Sequence, residues 1–148
     1  MAQTAFETPD PAHLNGTMSV EVLDPSDPGT PVNIIETDDH WKIKVEWTLD
    51  GLGAPYVGGT WHIHAYLDDA DGVAPFSGLV ASATKPVGPF SPPVLPRKYA
   101  TTMTVPAHKV GAGLYQLVVA LNYDNGAKLS MAAFVESGIL QFYDKQDA

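Results

Sequence analysis

The sequence predicts an all-β protein, on three observations. Apolar residues recur with a period of two in most of the longer runs, the repeat of a strand with one buried face. Thirteen glycines and thirteen prolines punctuate those runs among 148 residues, more than ordinary usage. No stretch carries the 3.6-residue repeat of an amphipathic helix.

Taken in order, residues 1–16 (MAQTAFETPDPAHLNG) read as an acidic, proline-containing N-terminal arm, and residues 17–148 as a single domain. A chain of this length buries roughly 68–70% of its unfolded surface, enough for a core without metal or disulfide staples. TMSVEVL (17–23) and PVNIIE (31–36) open the strand series. In WKIKVEW (41–47), Trp41, Ile43, Val45 and Trp47 fall on one face, with Lys42, Lys44 and Glu46 on the other. TWHIHAYL (60–67) repeats the pattern, with Trp61, Ile63, Ala65 and Leu67 facing the core and His62, His64 and Tyr66 facing away.

GLVASAT (78–84) precedes TKPVGPFSPPVLPRK (84–98), whose five prolines remove backbone donors and make it a stiff, proline-rich loop. ATTMTV (100–105), LYQLVVALNY (114–123) and LSMAAFV with ILQFY (129–143) complete the series. Asp124-Asn125-Gly126 is a hairpin signal, because Asn and Gly tolerate the positive φ of a primed turn. Gly138 marks a bulge or a break between the last two apolar runs.

The path from ATTMTVPA across a loop to GAGLYQLVVALNY, a tight turn and a final strand resembles the E–F–G region of immunoglobulin-like and fibronectin-III-like domains. That likeness implies an antiparallel two-sheet β-sandwich of about seven to nine strands, with Tyr115 bonding backbone upstream of it as a corner tyrosine. It covers about half the chain and carries no activity with it, since such sandwiches host unrelated functions.

Composition narrows the chemistry. The chain has no cysteine, which removes disulfides, thiolate metal sites and thiol nucleophiles. A net charge of −9 with one arginine disfavours nucleic acid and acidic membrane surfaces. No basic, apolar leader and no run of about 20 apolar residues is present, so a cytoplasmic location is the expectation, signal-less export being the other route. No nucleophile elbow, phosphate loop or HExxH motif occurs, and the chain does not read as an enzyme. The charge is divided along the chain: residues 1–41 hold eight acids and no lysine or arginine, while residues 72–123 hold no acid and the four bases Lys85, Arg97, Lys98 and Lys109.

These features give three functional readings. The leading one is a non-catalytic structural or adaptor protein that acts through protein contacts and self-associates. In it the acidic arm docks on the basic segment of a neighbouring subunit, with Phe6 and Leu14 as apolar anchors and Lys85, Arg97, Lys98 and Lys109 as its partners. The second is a calcium-assisted carbohydrate-binding module, with Asp68, Asp69 and Asp71 before Gly72 as cation ligands and Tyr56, Tyr66 and Phe90 as ring platforms. The third is a histidine–metal enzyme, because imidazoles at i and i+2 on one strand, His62 and His64, stand close enough to share one transition-metal ion. His40, His108 or Asp68 would supply its third ligand. The simpler reading of both clusters is a solvated sheet face and a turn, with no cofactor.

Overall fold

Strict alternation in two strands sets the architecture. The computed structural model describes residues 2–8, 12–23, 33–70, 78–90, 93–124 and 131–144. Strand β4 (Trp41–Asp50) buries Trp41, Ile43, Val45, Trp47 and Leu49, and β5 (Thr60–Asp69) buries Trp61, Ile63, Ala65 and Leu67. Their outward residues stay wet; Lys44 and Glu46 pair with each other across 3.0 Å on the β4 surface.

The other strands are β1 (Ala2–Ala5), β2 (Asn15–Leu23), β3 (Ile34–Glu36), β6 (Gly78–Pro86), β7 (Arg97–Val105), β8 (Gly113–Asp124) and β9 (Ala132–Tyr143). They form a four-stranded sheet in the order β1-β2-β4-β7 and a five-stranded sheet in the order β3-β9-β8-β5-β6. The fold is an all-β, immunoglobulin-like sandwich. Among the described residues every paired set of strands is antiparallel but one: β3 runs parallel to β9, with Ile34 opposite Gln141 and Glu36 opposite Tyr143. The chain thus places β2 in one sheet and β3 in the other, within the antiparallel two-sheet sandwich that the sequence predicts.

The core is aromatic. Trp47 of one sheet meets Trp61 of the other with ring centres 5.9 Å apart, and Trp41 meets Phe142 at 5.4 Å. Burying a ring of this size removes about 150–250 Å² from water, worth roughly 4–6 kcal/mol before entropy is counted. The hydroxyl of Tyr115 donates to the carbonyl of Gly111 at 2.8 Å, the corner contact that the resemblance implies.

Gly138 does mark a bulge. Ser137 pairs with Leu117 and Ile139 with Gln116, leaving Gly138 without a partner at φ +43°. The extra residue shifts the parity of the strand, so Ala133 and Val135 before it and Leu140 and Phe142 after it all face the core. A second irregularity lies between Ala65 and Tyr66, which face Ala81 and Leu79 and leave Val80 of β6 between them.

The N-terminal segment requires a correction. Instead of a free arm, residues 2–5 pair with β2 of their own chain, Ala2 opposite Val20 and Ala5 opposite Thr17, and β2 begins at Asn15. Phe6 and Leu14 are core residues of the domain, buried rather than offered to a neighbour. Phe6 lies edge-on to Trp61. Gly16 makes room for it: a Cβ there would sit 2.1 Å from the Thr48 carbonyl oxygen and 3.0 Å from the Phe6 ring. Glu7 and Ala132 then exchange backbone hydrogen bonds at 2.8 and 3.1 Å, joining the end of β1 to the start of β9. An apolar side chain six residues into a polar segment has a nearer partner in its own core than on another molecule.

Candidate functional site

The end of the sandwich where β6 finishes and β7 begins is organised by one buried cation. Arg97, the first residue of β7, is 6% exposed. Its Nη1 donates to the carbonyls of Ala54 and Val57, both at 3.1 Å, and its Nη2 to those of Val87 at 3.1 Å and Gly88 at 2.9 Å. Two loops are therefore tied to one guanidinium: the 3₁₀ turn Ala54–Tyr56 that follows β4, and the residues that follow β6. The planar fork of arginine suits this, since it offers five donors in fixed directions. The rings of Phe90 and Tyr99 lie 5.5 and 5.9 Å from the guanidinium carbon.

A buried charge is tolerated only when its donors are satisfied. Here carbonyl dipoles do that, and among the described residues the positive charge of Arg97, Lys85 and Lys98 has no carboxylate partner. Lys85 donates to the Ala100 carbonyl of β7 at 2.6 Å, and the Tyr99 hydroxyl donates to Val87 at 3.0 Å. Burial pushes the Tyr99 phenol above its ordinary pKa, and the neighbouring Arg97 charge opposes that rise.

Between these groups lies an open groove of about 550 Å³, lined among others by Lys85, Pro89, Phe90, Val94, Lys98 and Tyr99. Val94 in its lining is 61% exposed, and on the loop after β4, at the same end of the sandwich, Leu52 is 76% exposed and Tyr56 88%. The sequence offered no sign of the buried tether, because backbone carbonyls as charge partners leave no residue pattern.

The candidate residues separate into different places. Phe90, Lys85, Lys98 and Arg97 meet at the groove, with Tyr56 on the turn that Arg97 holds. Arg97 is interior, so its assignment as an exposed docking cation is corrected: desolvated and bonded to four carbonyls, it holds the loops and is not presented to a partner. Lys109 lies in the loop after β7, at the opposite end of the sandwich. His62 and His64 lie on the outer face of β5, opposite Asn122 and Ala120 of β8, and His64 stacks on Tyr66 at 6.3 Å. Tyr66 is therefore on a different surface from Tyr56 and Phe90. Asp68 and Asp69 end β5, while Asp71 and Asn125-Gly126 lie outside the described residues. Among the described residues no three metal-ligating side chains converge, so neither His40, His108 nor Asp68 completes a site with the histidine pair. Among them, too, no helix is long and apolar enough to cross a membrane.

No family model and no curated protein sequence matches the chain. Solved structures do resemble it. The C-terminal domain of Wzt superposes with a TM-score of 0.57 at 9% identity, covering 88% of this chain and 74% of that one. A CARDB domain from Pyrococcus furiosus, solved in complex with di-metal ions, gives a TM-score of 0.48 at 12% identity over 85% of this chain and 87% of that one. A β-glucosidase from Listeria innocua, in complex with glucose, gives 0.43 at 13% identity, with 80% of this chain matching 16% of the enzyme. At these identities the likeness to the Wzt domain speaks for the fold alone.

Proposed function

We propose that the domain is a non-catalytic binding module that works through protein–protein contact, with the Arg97 end as its contact surface. The observation that carries this reading is the tether. A single buried guanidinium holds two loops at one end of the sandwich: Phe90 and Val94 of one line a groove with Lys85 and Lys98, and Leu52 and Tyr56 of the other are exposed at the same end. Apolar groups gathered at one loop end are costly to leave in water and mark interaction sites on soluble domains. Fixing the loops in advance lowers the entropy lost on docking. The rings offered for a sugar platform do not share a surface, and the histidine pair lacks a third ligand among the described residues, so neither rival gains support from the geometry.

A photo-crosslinking phenylalanine at position 56, compared with one at position 66 on the outer face of β5, tests the assignment in cells expressing the protein. Discrete protein adducts from position 56 are expected. Adducts from position 66 alone, or from neither, overturn it.

A further inference from the structure

We infer that the partner seated on the groove is a second copy of this chain, docked by its opposite end; the inference rests on the groove being a protein-contact surface. Strand pairing fixes which residues share an end. Asn15 pairs with Asp50 and Leu49 with Arg97, while Thr60 pairs with both Pro86 and Asp124. These residues, the 3₁₀ turn and the groove with Lys85 and Lys98 therefore lie at one end. At the other end, Trp41 pairs with Val105, Asp69 with Tyr115, Gly113 with Phe142 and Glu36 with Tyr143.

That second end is acidic. It carries Glu36, Asp38, Asp39, Asp68, Asp69 and Asp144, against the two bases Lys42 at the start of β4 and Lys109 in the loop between β7 and β8. Asp39, Asp68 and Asp144 are exposed. Apolar side chains stand among the acids as they do at the groove: Leu114 is 37% exposed and Tyr143 42%. The groove itself draws its lining from a stretch, residues 72–123, that contains no acid. Two acids, Asp50 and Asp124, also stand at this end, but neither lines the groove, and Asp50 is turned onto the backbone amide of Gly51.

The two halves of this complementarity cannot meet within one molecule. Strands of ten residues span roughly 30 Å, far beyond the screening length of about 8 Å at physiological salt. Between copies they meet without any change of fold, cation-lined apolar groove on acid-lined apolar end. Such a contact uses two different patches, so it is heterologous and generates a ring or a filament according to its rotation. The charges set orientation and rate of encounter, and the apolar side chains supply most of the affinity.

The test is sedimentation velocity on the intact protein at low salt and at about 1 M salt, where screening shortens to ~3 Å. Two single charge reversals accompany it, Lys98→Glu at the groove and Asp39→Lys at the acidic end. Both side chains are exposed, and unchanged melting temperatures establish that the variants fold. The wild type is expected to associate with rising concentration at low salt and to weaken roughly tenfold at high salt. Each variant alone should associate at least about tenfold more weakly, and an equimolar mixture of the two should recover association, because one intact groove and one intact acidic end remain. A wild type that stays monomeric overturns the inference, as does a loss confined to one of the two variants, which would indicate a two-fold contact between like ends. Adducts from position 56 to a different protein, with a monomeric wild type, would keep the groove as a contact surface and exclude the second copy.

Discussion

Phe6 stands edge-on to Trp61, their ring centres 5.9 Å apart and their planes at 64°. The contact crosses the core from the N-terminal segment to β5, and it makes residues 2–8 part of the fold. Replacing Phe6 with Ala should cost about 3–5 kcal/mol, the range for deleting a buried aromatic ring, and lower the melting temperature by roughly 6–20 °C. Removal of residues 1–8 should do at least as much damage. Calorimetry on both variants checks this, and an unchanged melting temperature would return the segment to the role of a detachable arm.

Arg97→Lys should be far from conservative. A lysine ammonium carries three donors on a point and cannot reach four carbonyls on two loops. At least one charge-assisted hydrogen bond is lost, so stability should fall by about 2–4 kcal/mol. Hydrogen exchange should quicken in residues 51–59 and 86–90 while the amides of β8 stay protected.

Tyr115→Phe isolates the corner bond. It removes a single hydroxyl donor to Gly111 and leaves the ring packed against Phe142. A loss of about 1 kcal/mol is expected, read as a fall of roughly 2–4 °C in melting temperature.

Tyr99 gives the fold an alkaline limit. Its phenol has a raised pKa in the folded state, so as pH rises past the ordinary phenol range the unfolded chain releases this proton first. Stability is fully present below about pH 10 and declines above it. Tyr99→Phe should flatten that decline in urea titrations run between neutral and alkaline pH, while lowering stability at neutral pH through the lost bond to Val87. An equally steep alkaline decline in the variant would assign the effect to another group.

The strands that alternate strictly were legible. In WKIKVEW and TWHIHAYL each residue's parity assigns its face without reference to any partner, and the faces came out as read. The corner tyrosine was legible through a resemblance that spans several elements. What escaped was set by distance in the chain. AQTA is too short to show a period, and its strand exists because β2 offers an edge and Trp61 offers a surface for Phe6. The parallel pairing of Ile34–Glu36 depends on β9, more than a hundred residues later. Arg97 reads as a surface cation because the carbonyls that bury it have no side-chain signature. The groove is lined by the end of β6, the proline-rich loop and the start of β7, and what ties that loop to the turn Ala54–Tyr56, the Arg97 guanidinium and the bond from the Val87 amide to the Gly59 carbonyl, leaves no sequence pattern.

The pairing of β3 with β9, and the bridge from Glu7 to Ala132, have a consequence for how the chain is made. Residues 34–36 are synthesised early, yet their only strand partner within the described sheets is the last strand. Glu7 likewise waits for Ala132. At typical synthesis rates of about 5–20 residues per second, the nascent chain spends roughly 5–20 s with these partners missing. Nothing resembling the finished sandwich can close on the ribosome until the stretch up to Tyr143 has emerged. Until then the five-stranded sheet lacks its central-to-edge strand β9, and β8 presents an open, apolar edge. A chain arrested at residue 130 should therefore be held by chaperones and cut readily by protease, whereas the 148-residue chain arrested behind an added C-terminal linker long enough to clear the ribosome should resist both.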